Sequence, residues 1–330
     1  MSGEPPREGV RAEGAPPVGD VAAEAPVNRL PDDELRLRPG QDGRVRVDPT
    51  QAGWRYLSME AGGFGPTPFS VGRAGHEACV VVVGGGAAIA EGPDAERIEL
   101  PARSSPFEAL PSAVYLPSSE GWSVTTEPIA GAIAVTLAIA WAPRSGRDRV
   151  AGGPLVIRPD EVAVEIRGGG SATRQINHVL DPDSPADRLI VVEVLTPAGN
   201  WSSWPPHKHD VDDMPNEAVL EEVYLYGFRR PEGWGVQRLY RRPEHAPGGR
   251  RDALWAVRDG EVVIVTDGYH PFAAIHGDDA YYLNALAGDR RTLACSFDPD
   301  LDFIRAEWGS MGADPRLPLV PGRRSVGAAF

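Results

Sequence analysis

The stretch PPHKHD, residues 205–210, sets His207 and His209 either side of Lys208, in a chain with seven histidines. In an extended strand successive side chains point to opposite faces, so the two imidazoles share a face and Lys208 turns away. Two adjacent imidazoles pack poorly, but they are a natural start for a metal site. That reading holds only if the surroundings are strands and supply further ligands.

The surroundings read as strands. LIVVEVLTPAGNW precedes the pair; EEVYLYGF, WGVQRLY, LWAVRDGEVVIVTDGYHP and AYYLNALAG follow it. The first half of the chain repeats the style with RVRVDP, HEACVVVVGGGAAIA, SAVYLP, WSVTTE, AIAVTLAIAWA and PLVIRP. Strand-length runs at regular spacing, twice over and with little helical period, predict an all-β fold of two similar barrels. APRSGRDRVAGGP (142–154) marks the boundary, giving an N-terminal unit over 31–150 and a C-terminal unit over 151–310. Residues 1–30, rich in Pro, Gly, Ala and Glu without an aromatic, predict a disordered tail. Residues 311–330 read as a loose C-terminal extension.

Composition narrows the function classes. A formal net charge of −14 disfavours nucleic acid and anionic membranes as partners. The most apolar run, IAGAIAVTLAIAWA (129–142), is shorter than the ~18 residues a span needs and reads as buried strand. No basic start followed by an apolar block suggests a signal peptide. Cys79 and Cys295 make no disulfide framework, so reduced thiols and a cytoplasmic setting are expected.

The missing ligands lie downstream. EAVLEEVYLYGF (217–228) puts Glu222, Tyr224 and Tyr226 on one strand face and Glu221 on the other, leaving both glutamates open. DGYHP (267–271) adds His270 at a strand end. Three histidines and a carboxylate suit a first-row divalent ion with a position left open for catalysis. His76 and Glu77 in GHEAC read as structural, His178 as a satisfied histidine and His245 as loop, while His276 is a weaker candidate for the same pocket.

Together these pieces resemble the cupins, small jelly-roll β-barrels with His-x-His, Glu and a later His as ligands. More narrowly, GWRYLSM (53–59), RGGGSATRQINHVL (167–180), VEVLTPAGNWSSWPPHKHD (192–210), LEEVYLYGFRRPEGWGVQRLY (220–240) and DGYHPFAAIHGDDAYYLNALAG (267–288) resemble the 5-deoxy-glucuronate isomerase family of bacterial inositol catabolism. Trp204 stands where that family usually has tyrosine. The resemblance implies a bicupin whose N-terminal barrel lacks a full metal site. It also implies one divalent ion per chain on His207, His209, Glu222 and His270, zinc or manganese first, with iron or nickel also compatible. The implied reaction is aldose–ketose isomerisation of 5-deoxy-D-glucuronate to 5-dehydro-2-deoxy-D-gluconate. A small sugar acid is the expected partner, and a homo-oligomer is left open. For that chemistry Asp279 and Tyr282 are candidate proton carriers, and Arg174 and Tyr226 candidate substrate-binding residues. The alternatives are a related uronate ketol-isomerase and an iron dioxygenase, since cupins with the same ligands activate dioxygen.

Overall fold

The computed structural model describes residues 30–147, 150–242, 250–322 and 324–326. The expected N-terminal tail, except for Leu30, and His245 lie outside the described residues.

The first strands are β1 (Arg36–Leu37), β2 (Arg44–Val47), β3 (Ser58–Phe64), β4 (Phe69–Ser70), β5 (His76–Gly84) and β6 (Gly86–Glu91). β7 (Arg97–Arg103), β8 (Ser112–Leu116), β9 (Ser123–Pro128), β10 (Val135–Pro143), β11 (Leu155–Ile157) and β12 (Ala163–Arg167) follow. Then come β13 (Arg174–Leu180), β14 (Leu189–Thr196), β15 (Trp201–Ser202), β16 (His207–Lys208), β17 (Glu221–Phe228) and β18 (Trp234–Tyr240). The last are β19 (Asp252–Arg258), β20 (Val262–Val265), β21 (Phe272–Ala274), β22 (Ala280–Ala287), β23 (Ser296–Phe297) and β24 (Arg324–Val326).

Two copies of one pattern emerge. One barrel pairs a six-stranded sheet, β11-β8-β5-β10-β3-β2, with a four-stranded sheet, β4-β9-β6-β7. The other pairs β1-β20-β17-β22-β14-β13-β12-β24 with β15-β21-β18-β19. Strand for strand the orders coincide, β2 with β13, β3 with β14, β10 with β22, β5 with β17 and β8 with β20. This is the duplicated cupin jelly roll, all-β as the sequence predicts.

Two expectations about boundaries are corrected. β1 lies in the expected N-terminal unit but pairs with β20 of the C-terminal barrel, Arg36 opposite Val263. β11 lies past the expected boundary but pairs with β8 of the N-terminal barrel, Leu155 opposite Tyr115. Each barrel thus closes its large sheet with the strand that leads into the other. The exposed backbone edge of β8 or β20 needs a partner, and either lead-in strand can supply one. The described part of the C-terminal extension is also anchored: Gln175 donates to the Val320 carbonyl (2.8 Å) and accepts from its N–H (3.1 Å). β24 then runs parallel to β12.

The interior of the N-terminal barrel is apolar, with Val80, Val82, Leu116, Leu137 and Trp141 among its buried residues. Between the barrels Arg103 donates to both carboxylate oxygens of Glu193, at 2.6 and 2.9 Å, with both side chains essentially inaccessible. Tyr281 and Asn177 donate to the same carboxylate. A buried ion pair needs such added hydrogen bonds to offset its desolvation.

Candidate metal centre and substrate cavity

β17 is buried along its whole length and turns Glu222 into the C-terminal barrel. His209 reaches it from just past β16, and His270 from the turn before β21. That turn needs glycine at 268. Its φ of +79° disfavours other residues, and a Cβ there would meet the Tyr240 carbonyl at 2.5 Å. Gly268 accepts a hydrogen bond from His270 Nδ1 (3.0 Å) and donates to Asp210 (2.8 Å), fixing the ring.

The ligand-type atoms of His209, Glu222 and His270 all lie within 4.8 Å of one another, and all three residues are buried. His209 Nδ1 faces the Leu220 carbonyl at 3.0 Å, and His270 Nδ1 faces that of Gly268. A carbonyl only accepts, so in the neutral rings both Nδ1 atoms carry the hydrogen and both Nε2 atoms present a lone pair. Those lone pairs converge on one oxygen, Glu222 Oε2, at 2.8 Å from His209 and 3.2 Å from His270. Despite that approach, His270 Nε2 is buried without a hydrogen-bond partner among the described residues. Three electron-rich atoms facing one another require a proton or a cation between them. The donor set fits a divalent ion, with backbone carbonyls orienting the histidines from behind.

The local electrostatics agree. Burial pushes Glu222 up, but the hydrogen bond with His209 and the nearby His209 and His270 rings outweigh it and hold the carboxyl at about 2. Burial lowers His209, yet Glu222 beside it leaves it above the usual imidazole range. His207 is driven well below that range, by burial first and then by its neighbours His270 and His209. Its ring sits 4.6 Å from that of His270, centroid to centroid, so it borders the three-residue cluster. Lys208 turns the other way, as the strand reading expects, and its ammonium bonds Asp210 and Glu217.

The cluster opens onto a cavity of about 410 Å³. Ladder pairing explains its walls: Glu222 and Tyr224 of β17, Tyr282 and Asn284 of β22, Val192 and Val194 of β14, and Arg174, Ile176 and His178 of β13 all line it. Arg174 is buried, and its Nη1 donates to the carbonyls of Ala172 (3.3 Å) and Trp204 (3.2 Å). Burial, with Arg167 adding to it, lowers this guanidinium to about 10. No carboxylate among the described residues pairs with it. Tyr282 meets Ser203 Oγ at 3.4 Å, and Tyr224 meets the same oxygen at 2.8 Å. Burial raises the phenol of Tyr282 and holds it protonated.

The structure therefore brings His207, His209, Glu222, Arg174 and Tyr282 to one cavity, with His270 fully buried and grouped with His209 and Glu222. It corrects two other expectations. Asp279 is turned out of the cavity because it alternates with Ala280 and Tyr282 along the chain. Its carboxylate accepts from Ala198 N (2.9 Å) and pairs with Arg229 (3.0 Å). Tyr226 shares the face of Glu222 but lies one step too deep, and its hydroxyl donates to Gln237 at 2.7 Å. His276 is exposed and outside the cavity lining. Sequence reasoning missed His178, Asn284, Ser203 and Trp308 as lining residues. For His178 and Asn284 the period-2 alternation with Arg174 and Tyr282 carried the signal.

Comparison with known proteins accounts for this arrangement. A 5-deoxy-glucuronate isomerase of Geobacillus kaustophilus is 38% identical over 275 residues, 81% of this chain and 92% of the relative. One of Geobacillus thermodenitrificans is 38% identical over 272 residues, 81% of this chain and 93% of the relative. The crystal structure of an IolB-like protein from Salmonella typhimurium LT2 superimposes with a TM-score of 0.74 at 34% identity, covering 82% of this chain and 99% of that one. The profile of one family spans residues 34–304, taking in both barrels and every residue of the cavity's histidine–glutamate cluster, and the chain is a member of that family, the KduI/IolB family.

Proposed function

We propose that this protein is a metal-dependent aldose–ketose isomerase that converts 5-deoxy-D-glucuronate to 5-dehydro-2-deoxy-D-gluconate in myo-inositol catabolism, in the cytoplasm. The observation that carries the proposal is the convergence of two imidazole lone pairs on Glu222 in a site with a buried arginine that has no carboxylate partner among the described residues. The names of the relatives supply the substrate.

His207, His209, Glu222 and His270 would hold one divalent ion, zinc or manganese first. Such an ion supplies a Lewis acid for the sugar's carbonyl and hydroxyl oxygens. Arg174 binds the carboxylate end, where a charge-assisted pair inside a buried wall is strong. Tyr282, kept protonated by burial, donates a hydrogen bond or a proton to a sugar oxygen as the carbonyl moves from C1 to C2. Ile176, Val192 and Val194 keep that part of the wall dry. Two unpaired cysteines accord with a reducing compartment.

The test is direct. Purified protein with zinc or manganese is incubated with 5-deoxy-D-glucuronate, and the 2-keto product is followed by NMR. Wild-type protein that forms none with any of zinc, manganese, iron or nickel sinks the proposal.

A further inference from the structure

Among the described residues, His178 is the one histidine in the cavity wall outside the candidate metal cluster. It sits on β13, four residues after Arg174 and on the same face. Its Nε2 lies 2.9 Å from Glu165 Oε2. Glu165 in turn is gripped by Arg167, with Nε at 2.7 Å from one oxygen and Nη2 at 2.9 Å from the other. The carboxylate is therefore fixed before it meets the imidazole. Burial alone would raise Glu165, but the bonds from His178 and Arg167 hold it at about 2.

A fixed carboxylate selects the tautomer. In the neutral imidazole Nε2 carries the hydrogen toward Glu165, and Nδ1 keeps a lone pair. Among the described residues Nδ1 has no hydrogen-bond partner. The side chain is 14% exposed and lines the cavity, so the free acceptor is available to a ligand there.

We infer that His178 is a specificity-determining residue, its Nδ1 accepting a hydrogen bond from a hydroxyl of the sugar-acid chain, at C3 or C4, between the reacting carbons and the carboxylate. This rests on the isomerase reading above and deepens it. The other lining groups beyond the metal cluster are phenols, indoles, amides, guanidinium groups, a thiol, a hydroxyl and apolar side chains. An imidazole locked as an acceptor differs from these in one respect: it rejects a chain that lacks the matching hydroxyl, because the acceptor is then left dry and unpaired. Glu165 acts through His178 and is a positioning residue.

The experiment compares 5-deoxy-D-glucuronate with its 3-deoxy and 4-deoxy analogues on wild type, His178→Asn, His178→Leu and Glu165→Gln, with bound metal measured for each. Wild type should disfavour one analogue by about 10- to 100-fold in kcat/KM. His178→Leu should lose that discrimination while keeping its metal, and His178→Asn, whose amide oxygen can stand near Nδ1, should recover part of it. Glu165→Gln keeps the ring but can offer Nε2 a donor, freeing the opposite tautomer, so it should also lose discrimination. ¹⁵N NMR of labelled histidine should show the His178 hydrogen on Nε2 in wild type and redistributed in Glu165→Gln. If His178→Leu discriminates as wild type does, or if wild type treats all three sugars alike, the inference is overturned while the isomerase reading stands. If wild type turns over none of them, the isomerase reading fails, and this inference with it.

Discussion

Glu77 and Glu221 occupy matching positions in the two barrels, and each caps the chain of the other. Glu77, near the start of β5, accepts from the backbone N–H groups of Asp187, Arg188 and Leu189, at 2.9, 2.7 and 2.8 Å. Glu221, at the start of β17, accepts from those of Arg55, Tyr56 and Leu57, at 2.7, 2.9 and 2.7 Å. Residues 55–57 lead into β3 and residues 187–189 into β14, the equivalent strand. The barrels are therefore tied by a reciprocal pair of carboxylates related by the internal repeat, in addition to their exchanged strands. One residue on, the repeat breaks: Glu222 is matched by Ala78, buried in an apolar interior. At that position the N-terminal barrel has alanine in place of a carboxylate, while the structural glutamate beside it is kept.

The capping carboxylates should contribute to stability independently of the active site. Glu77→Gln or Glu221→Gln replaces an accepting oxygen with an amide donor facing N–H groups, and each should cost about 1–3 kcal/mol. Chemical denaturation measures the loss. Metal content should stay at the wild-type level in Glu77→Gln, whose side chain is in the other barrel. Undiminished stability in both variants would remove the reciprocal-cap account.

The metal centre predicts a linked stability. An ion that binds only the folded chain should add about 2.7 kcal/mol at a hundredfold excess over its Kd. Thermal unfolding with zinc or manganese should therefore occur at higher temperature than with a chelator. His209→Ala should abolish the difference. Equal Tm values for wild type in metal and in chelator, with no ion retained, would contradict the assignment.

What the sequence disclosed was what short-range rules govern. Strand alternation put His207 and His209 on one face and offered Glu221 or Glu222, the family resemblance chose Glu222, DGYHP marked His270, and repeated strand runs showed two barrels. Its errors came from long-range facts. β1 and β11 cross between barrels because an edge elsewhere in the chain needs a partner, which no local pattern records. Asp279 was misread because acidity was weighed without its place in the alternation, although Tyr282 two residues after Ala280 already implied that it faces outward. His178 was judged a satisfied histidine; its Nε2 does bond Glu165, but its Nδ1 has no hydrogen-bond partner among the described residues. Its position in the cavity wall depended on the register between β13 and β14.

Arg174 should govern affinity for the acid group. Arg174→Gln removes a buried cation that pairs with no carboxylate among the described residues, so the fold loses little and the substrate loses its counter-ion. A loss of about 2–3 kcal/mol in transition-state binding is expected, roughly 30- to 150-fold in kcat/KM, with most of it in KM. Arg174→Lys keeps the charge but not the planar fork and should recover part of the loss. Steady-state kinetics of the three proteins decides it; a kcat/KM within threefold of wild type in Arg174→Gln would place the carboxylate elsewhere.

Glu165 gives the pH prediction. Its carboxyl is held at about 2 in the folded chain, against an ordinary value of 4.5, so folding favours the ionised form. A depressed carboxyl stabilises the fold fully above the unfolded value, and the contribution is lost as pH falls from about 4.5 toward 2. Wild type should thus exceed Glu165→Gln in stability at pH 6, and the gap should narrow steadily below pH 4.5. Urea midpoints for both proteins at pH 6, 4.5 and 3.5 measure it. A gap that is unchanged at pH 3.5, or that widens, would mean that the Arg167–Glu165–His178 contacts do not hold the carboxyl ionised.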